Sequence, residues 1–313
     1  MLDIWCLDKT LRKGDPKALS QCKGKPLWID VTNISKSEAE LLREAFDLHP
    51  VTVEDILHRS TRIKVEEFPH YLFCVFYGAQ NTTLSDFTEF DFVIGEHFLI
   101  TSHLRAVPSF DRLKEDAAHL ASLLEKGSVF LFHRLLATEI DAFGPLLEKI
   151  EGKVASLETG AIRLARPELM QQILKLKHQL NIIKRTTTTQ REKLSFLAKN
   201  EYALIPKKAV PYLRDVYDQM IHIADRVDAS REHAANAFDV YMSSISNNTN
   251  QVMKVLSIIA TIALPLTVIS GIYGTNFAAL PGSAQPYGFW MMVSFMAVFS
   301  IVLLLFFRKK GWF

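Results

Sequence analysis

The sequence predicts an α/β N-terminal domain, then long helices, then two C-terminal transmembrane helices. Three observations support this prediction. First, the 313 residues include 36 Lys or Arg and 34 Asp or Glu, yet residues 255–307 contain no charged residue and no His. Second, short apolar runs alternate with amphipathic patterns before residue 128. Third, residues 212–264 contain neither Gly nor Pro, so a long helix can run through them.

The composition excludes several classes of protein. A hydrophobic fraction of 49% and a net charge of only +2 argue against disorder, and no basic stripe indicates a nucleic-acid partner. Cys6, Cys22 and Cys74 are too few and too scattered for a disulfide framework or a metal site, and they fit a reducing compartment. The first residues lack the apolar core of a signal peptide, so we expect a cytosolic body that no cleaved signal exports.

Residues 1–127 are predicted to form the cytosolic α/β domain. Apolar or alternating runs bounded by turn residues predict strands at residues 26–31, 71–78, 87–94 and 98–101. Amphipathic patterns predict helices at residues 37–48, 51–58 and 106–124.

Residues 128–254 are predicted to be a cytosolic helical stalk. Pro167 precedes a seam of apolar residues at steps of four and three, which is typical of helix–helix packing. The seam consists of Leu169, Ile173, Leu176, Leu180 and Ile183. The chain after Pro211 is predicted to form one helix that continues into the membrane, roughly 80 Å at 1.5 Å per residue.

Two apolar runs are long enough to cross a bilayer. Residues 255–273 and 287–307 each extend roughly 28–32 Å as helices, close to the ~30 Å of a hydrocarbon core. Buried helices of a soluble core are the weaker alternative, because such cores rarely need charge-free runs of this length. Lys254 and the basic tail, residues 308–313, flank the two runs. By the positive-inside rule both ends are cytoplasmic, and residues 274–286 form an outer loop.

One face of the long helix is small or polar at alternating steps of four and three. It runs through Asp239, Ser243, Ser246, Asn250, Met253, Ser257, Ala260, Leu264, Thr267, Gly271 and Gly274. Close helix packing by small residues is one interpretation. A water-lined path is the other, favoured by Asp239 and Asn250, and it needs several copies in a ring because two spans cannot enclose it. Leu264 and Leu256 would then be hydrophobic constrictions.

The path offers only oxygen ligands, since no His follows His233 and no Cys follows Cys74. Oxygen ligands suit hard cations such as Mg²⁺, whereas Zn²⁺ usually takes nitrogen or sulfur. A membrane potential supplies roughly 4.6 kcal/mol per 100 mV to a divalent ion, so inward flow needs no ATP. The sequence shows no phosphate-binding glycine motif and no catalytic spacing, so we expect neither an enzyme nor an organic cofactor.

The run Gly271-Ile272-Tyr273-Gly274-Thr275-Asn276-Phe277 resembles the signature of the CorA family of magnesium and cobalt transporters. That family has Gly-Met-Asn where this chain has Gly-Thr-Asn. Further segments also resemble this family. Residues 49–57 and 64–66 resemble its cytosolic domain, and residues 210–218 and 239–256 resemble its long helix. Residues 309–313 resemble its basic tail. The similarity extends over essentially the whole chain.

The resemblance implies a funnel-shaped homopentamer that takes up Mg²⁺ and Co²⁺, with the first membrane helix lining the pore. Gly274, Thr275 and Asn276 would form the outer ring that receives a hydrated cation. The rings further in would be polar at Thr267, Asn250 and Asp239, and Leu264 and Leu256 would be the hydrophobic gate.

The resemblance also implies regulation from the cytosol. Asp55 and Asp215 of neighbouring subunits would hold a regulatory Mg²⁺ between them, so that rising internal Mg²⁺ closes the pore. From the residues alone, a solvated surface carboxylate or a helix cap is the favoured interpretation of both. The expected partners are other copies of the chain, divalent cations and the lipid bilayer of an inner or plasma membrane, and no nucleic acid.

Two departures from the family pattern concern the ion. Thr275 replaces the family's Met, and residues 278–285 contain no acidic residue to attract cations. Because the family includes a zinc-transporting branch, a Zn²⁺ or Ni²⁺ transporter of the same fold is an alternative. A two-span signalling protein with a cytosolic sensor is an alternative from another class, although the chain lacks an output module.

Overall fold

The computed structural model describes residues 2–14, 19, 22, 24–58, 62–79, 86–163, 166–277, 280–282 and 285–312. The chain forms two compact units, Met1–Phe238 and Asp239–Phe313. The strands are β1 (Leu2–Asp8), β2 (Thr10–Gly14), β3 (Leu27–Thr32), β4 (Lys64–Glu67), β5 (Tyr71–Ala79), β6 (Phe87–Gly95) and β7 (Phe98–His103). The helices are α1 (Lys36–Phe46), α2 (Pro50–Leu57), α3 (Pro108–Glu115), α4 (Ala117–Lys126), α5 (Ser128–Asp141), α6 (Phe143–Arg163), α7 (Pro167–Lys199), α8 (Val210–Tyr273) and α9 (Gly288–Lys309), with a 3₁₀ turn at Lys207–Ala209.

The described strands form one seven-stranded sheet in the order β2-β1-β3-β7-β6-β5-β4. β3 and β7 are parallel, and the other neighbouring pairs are antiparallel. Strands were predicted at the positions of β3, β5, β6 and β7, and these predictions are confirmed within two residues at each end. β1, β2 and β4 were not predicted.

Both faces of the sheet are covered. On one face, Ile29, Val93 and Ile100 pack into a buried cluster with α1 and α2. On the other, aromatic side chains dominate, and the ring centroids of Phe92 and Phe132 of α5 are 5.0 Å apart. Such aromatic pairs add about 0.5–1.5 kcal/mol beyond their buried area. Polar residues on the central strands are therefore buried along with apolar ones.

The helix ends follow from capping chemistry. α1 begins with a capping box, in which the Ser35 amide donates to Glu38 Oε2 at 2.8 Å and the Glu38 amide donates to Ser35 Oγ at 3.3 Å.

The prediction of one helix over residues 106–124 is wrong. The Asp116 carboxylate accepts a hydrogen bond from the His119 amide at 3.0 Å, so Asp116 ends α3 and caps α4.

The apolar seam of α7 is confirmed as a packing face. Ile173, Leu176, Leu180 and Ile183 are fully buried. The same helix meets the sheet through Gln190, whose Oε1 accepts a hydrogen bond from the Tyr77 amide of β5. β4 pairs with β5 only as far as Val75, so Gln190 satisfies a strand amide beyond the end of β4.

The four-threonine run of α7 is helical, despite its low helix propensity. The hydroxyls of Thr186, Thr187 and Thr189 each donate to the carbonyl oxygen four residues earlier, at 2.9–3.2 Å. These bonds satisfy the hydroxyls within the helix.

The three thiols are buried. Burial and the neighbouring Cys22 raise the pKa of the Cys6 thiol to about 12. Burial also raises the pKa of the Cys74 thiol. Since the thiolate is the reactive form, Cys6 and Cys74 are inert in the folded protein.

Candidate functional site

The second unit contains apolar helices with exposed side chains. Two helical segments, Lys207–Tyr273 and Gly288–Lys309, are long and apolar enough to cross a membrane, and in the most apolar stretch of each only 6% and 0% of the residues are buried. The exposed fractions of Leu256 and Leu264 are 57% and 64%. Apolar surface on this scale is normally covered by lipid or by other protein chains, which sets these helices apart from the core helices of a soluble protein.

The predicted pore residues lie at successive levels of α8. Asp239, Asn250 and Thr267 are exposed on this helix, as are the two leucines of the predicted gate. Asp239 and Thr267 are about 42 Å apart along the helix at 1.5 Å per residue, too far to form one site. Within α8 the Thr267 hydroxyl donates to the Ala263 carbonyl at 2.9 Å, which leaves its oxygen lone pairs as acceptors.

The Gly-Thr-Asn motif closes the C-terminal end of α8. The Gly274 amide donates to the Ser270 carbonyl at 2.9 Å and the Thr275 amide donates to the Ile272 carbonyl at 3.2 Å. The Thr275 hydroxyl donates to the same Ile272 carbonyl at 2.7 Å. Asn276 follows directly and is exposed. A methionine, as in the family motif, cannot make this hydroxyl bond, so Thr275 adds a cap at the end of the helix.

The described parts of the connection between α8 and α9 are held to both helix ends. The Tyr273 hydroxyl donates to the Pro281 carbonyl at 2.9 Å. Gly282 has a φ of +82°, which favours glycine. A Cβ on Gly288 would lie 2.2 Å from the Gly282 carbonyl oxygen, so only glycine permits this approach. Residues 278–279 and 283–284 of the predicted acid-free loop lie outside the described residues.

Asp55 lies on α2 in the first unit, with 23% of its side chain exposed. Lys64 of β4 donates to Asp55 Oδ2 and to Glu66 Oε2 at 3.1 Å. Lys64 was not predicted as a partner of Asp55. The two-residue spacing of Lys64 and Glu66 puts both on one face of a strand, but it does not indicate Asp55 as a partner.

Asp215 lies on α8, exposed, with different neighbours. It is close enough to His133 and Asp141 of α5 to act on both. Burial lowers the pKa of His133, and the Asp215 charge opposes this shift. Burial raises the pKa of Asp141, Arg134 opposes the rise, and Asp215 adds to it. Asp141 thus brings a second carboxylate close to Asp215, and Arg134 brings a cation to the same region.

In the part of the chain that the structure describes, no group of three or more His, Cys, Asp or Glu side chains is placed to hold a metal ion. A metal bound by this part of one chain would have at most two such ligands. Mg²⁺ tolerates this, because it keeps several waters and is usually bound through one or two carboxylates.

Comparison with known proteins agrees with this architecture. Residues 23–309 match the family model described as CorA-like Mg²⁺ transporter protein. The cobalt/magnesium transport protein CorA of Thermotoga maritima is 35% identical over 292 residues, which cover 92% of this chain and 83% of that protein. The protein of the same name from Methanocaldococcus jannaschii is 24% identical over 289 residues, covering 91% of each chain.

The fold is also that of a solved transporter. The complete structure of the CorA magnesium transporter from M. jannaschii superposes with a TM-score of 0.86 at 22% identity, covering 100% of this chain and 99% of that one. The family model and the Thermotoga relative each span most of the sequence, so this chain belongs to the CorA-like Mg²⁺ transporter family.

Proposed function

We propose that this protein is a passive transporter that takes up Mg²⁺, and also Co²⁺, driven by the membrane potential. The observation that supports this most directly is the Gly-Thr-Asn motif at the end of a long exposed apolar helix, in a chain 35% identical to a cobalt/magnesium transport protein. The oxygen-only ligands of α8 after His233 suit hard cations.

The transporter works as a ring of copies, a homopentamer as the family resemblance implies. Two membrane helices per chain, at residues 255–273 and 287–307, cannot enclose a path alone. The exposed apolar side chains of α8 and α9 support contact with lipid and with other copies. Lys254 and Arg308 to Lys310 support cytoplasmic placement of both ends in the plasma or inner membrane.

The ion path follows α8. Gly274, Thr275 and Asn276 form the outer ring, where amide and carbonyl oxygens hydrogen-bond the water shell of the cation. Thr267, Asn250 and Asp239 repeat polar contacts at deeper levels. Leu264 and Leu256 narrow the ring and close it by dewetting.

Internal Mg²⁺ regulates the path by binding between Asp55 of one subunit and Asp215 of the next. Two facing carboxylates repel each other unless a divalent ion lies between them, so the ion stabilises one arrangement of subunits. The carboxylate of Asp141 near Asp215 and the partial exposure of Asp55 support this placement. α8 contains both Asp215 and the proposed pore residues.

A Zn²⁺ or Ni²⁺ transporter of the same fold is the second candidate. It is favoured by Thr275, whose hydroxyl caps α8 where the family motif has methionine. A change beside the proposed selectivity residue can alter ion preference.

The experiment is divalent flux into liposomes that contain the purified full-length protein and hold an inside-negative potential. Mg²⁺, Co²⁺, Ni²⁺ and Zn²⁺ compete pairwise. We expect Mg²⁺ and Co²⁺ to compete for one path. Flux of Zn²⁺ or Ni²⁺ that Mg²⁺ does not inhibit would support the second candidate, and absence of any potential-driven flux would contradict transport.

Asn276→Ala tests the outer ring in the same liposomes. Asn248→Ala is the matched control, since Asn248 is also exposed and lies on α8 off the polar stripe. Loss of uptake in the first variant alone supports the ring. If uptake and ion preference in Asn276→Ala equal those of the parent, Asn276 has no such role.

A further inference from the structure

A polar pocket in the first unit contains none of the residues predicted to form the pore or the regulatory site. Its volume is about 230 Å³. It is bordered by the C-terminal end of α2, the segment after β3, the beginning of β6 and the end of β7. Its acidic lining residues are Asp86, Glu89 and Asp91. The C-terminal end of a helix has partial negative charge, so α2 adds to the negative potential of the pocket.

Asp91 is the unusual residue of this pocket. It is only 6% exposed, and its Oδ1 is buried without a hydrogen-bond partner. A buried carboxylate without a partner costs several kcal/mol of folding free energy unless it is neutralised. A native protein with such a group is therefore expected to supply a proton or a cation to it.

Among the residues that the structure describes, the cationic groups in and around the pocket each have a partner. Arg105 Nη1 lies 3.7 Å from Asp86 Oδ2. Lys64 binds Asp55 and Glu66. The imidazole Nδ1 of His58 is 2.9 Å from the Glu54 carbonyl oxygen, and His103 Nε2 is 3.0 Å from Asp30 Oδ1. Among the described lining residues, the three carboxylates thus outnumber the one guanidinium.

Glu89 brings a second carboxylate to the same face of β6. Glu89 and Asp91 are two residues apart on this strand, so their side chains point to one face, with Cα atoms about 7 Å apart. The Tyr77 hydroxyl donates to Glu89 Oε2 at 2.8 Å, which orients the carboxylate.

We propose that this pocket binds a hydrated hard divalent cation such as Mg²⁺ through Asp91 and Glu89 of a single subunit. Two carboxylates with several retained waters are the usual protein environment of Mg²⁺. A water occupies about 30 Å³ in the liquid, so the pocket has room for an ion with several waters. Unlike the proposed Asp55–Asp215 site, this one needs no neighbouring subunit.

The charges next to the pocket link the two sites. Burial, Glu89 and Asp55 raise the pKa of Asp91 well above its usual range, and Lys64 opposes the rise. A proton therefore competes with the cation for Asp91. When the cation replaces the proton, the repulsion between the Asp91 and Asp55 charges is screened by a divalent ion.

The test counts bound Mn²⁺, a paramagnetic hard cation that oxygen ligands accept, on the detergent-solubilised full-length protein by electron paramagnetic resonance. We expect Asp91→Asn to bind one Mn²⁺ per chain fewer than the parent, and Mg²⁺ to displace that ion. Glu96→Gln is the control, because Glu96 is an exposed acid in the β6–β7 turn.

Glu89→Gln provides a second, independent variant should Asp91→Asn fail to fold. It keeps an acceptor for the Tyr77 hydroxyl and removes the charge, and we expect at least about tenfold weaker Mn²⁺ binding at this site. Equal stoichiometry and affinity in the parent and both variants would overturn the proposal. So would displacement of the ion by K⁺ but not by Mg²⁺. Neither result depends on transport, so the outcome is separate from that of the proposed function.

Discussion

The hydroxyl of Tyr273, the last residue of α8, donates a hydrogen bond to the Pro281 carbonyl oxygen at 2.9 Å. The bond reaches across the segment that contains Asn276, the residue proposed to receive the cation. The loop after the Gly-Thr-Asn motif is therefore held by the helix that precedes it.

Tyr273→Phe removes this bond and little else. A single hydrogen bond of this kind contributes about 0.5–1.5 kcal/mol, and both partners are near the surface, so we expect a small change in melting temperature. We expect a clear fall in Mg²⁺ uptake, because Asn276 is no longer held in place. Tyr287→Phe, at the other end of the connection, is the control. Unchanged uptake in Tyr273→Phe would show that the bond does not position the outer ring.

Gly288→Ala tests the close approach at the start of α9. The added Cβ would lie 2.2 Å from the Gly282 carbonyl oxygen, closer than side chains are found, so the connection must shift. We expect a loss of uptake at least as large as that of Tyr273→Phe, measured in the same liposomes. Gly152→Ala on α6, where a Cβ has open space, should leave uptake unchanged. Normal uptake in Gly288→Ala would mean that this loop geometry is not needed.

Asp91→Asn should change how stability depends on pH. The pKa of Asp91 is raised in the folded protein above the ~3.9 of an unfolded chain, so the folded state holds the proton more tightly. That stabilisation is present at low pH and is lost as pH rises from about 4 through the folded pKa. In EDTA, we expect the variant to gain stability relative to the parent over this interval. If the melting temperatures of the variant and the parent differ by the same amount at every pH, the pKa of Asp91 is not raised in the folded protein.

Lys114→Met should destabilise the first unit. Lys114 Nζ lies 2.7 Å from Asp30 Oδ2 and 3.2 Å from Asp3 Oδ2, and the Asp30 side chain is 1% exposed. Breaking one partner of a buried ion pair costs about 3–5 kcal/mol. Lys126→Met, at an exposed position, is the control in thermal unfolding. A melting temperature equal to that of the control would show that His103 and Thr101 satisfy Asp30 without Lys114.

The partners of Asp30 predict a dependence of folding stability on pH that is opposite in sign to that of Asp91. Burial would raise the pKa of Asp30, but His103 and Lys114 outweigh it and the pKa is lowered. A depressed folded pKa gives stability above ~pH 4 that is lost as pH falls through the folded value. Lys114→Met should weaken this loss at acid pH.

Asp215→Ala tests regulation by internal Mg²⁺. Removing this carboxylate should weaken Mg²⁺-dependent closure, seen as weaker protection from protease by Mg²⁺ and as uptake that persists at high internal Mg²⁺. Asp218→Ala is the control, since Asp218 is exposed one turn further along α8. Equal protection in Asp215→Ala and the parent would count against a sensor at this position.

The helices and the central strands were predictable because their apolar periodicity is strong. The edges of the sheet were not. β4 is only four residues long and reads Lys-Val-Glu-Glu, a composition with weak strand propensity. β2 is likewise short and polar, with mostly exposed residues. Pairing with a neighbour, rather than local preference, makes these segments strands.

The alternation in β6 predicted the strand correctly but did not predict its burial. Alternating acidic and aromatic residues predict a half-solvated strand, but helices cover both faces of the sheet, and Asp91 is buried with Phe90 and Phe92. A pattern of residue types shows on which face of the strand each side chain lies. It does not show what packs against that face. The pocket at Asp91 could therefore be recognised only in three dimensions.

Two parts of the candidate site could be predicted from residue type and spacing. These are the Gly-Thr-Asn motif and the exposed residues of α8. The bond from the Thr275 hydroxyl to Ile272 and the approach of Gly288 to Gly282 depend on how the chain turns after α8. The pairing of Lys64 with Asp55 depends on the position of β4 beside α2. These relationships follow from tertiary structure, and no local sequence signal specifies them.

The burial of Cys6, Cys22 and Cys74 makes the natural chain a suitable host for site-directed spectroscopy. Their thiols react slowly in the folded state, so a single cysteine introduced at an exposed position of α8, such as Asn250, would be the main target of a maleimide spin label or fluorophore. Distances between labels on different copies could then be recorded with and without Mg²⁺, with all native cysteines left in place.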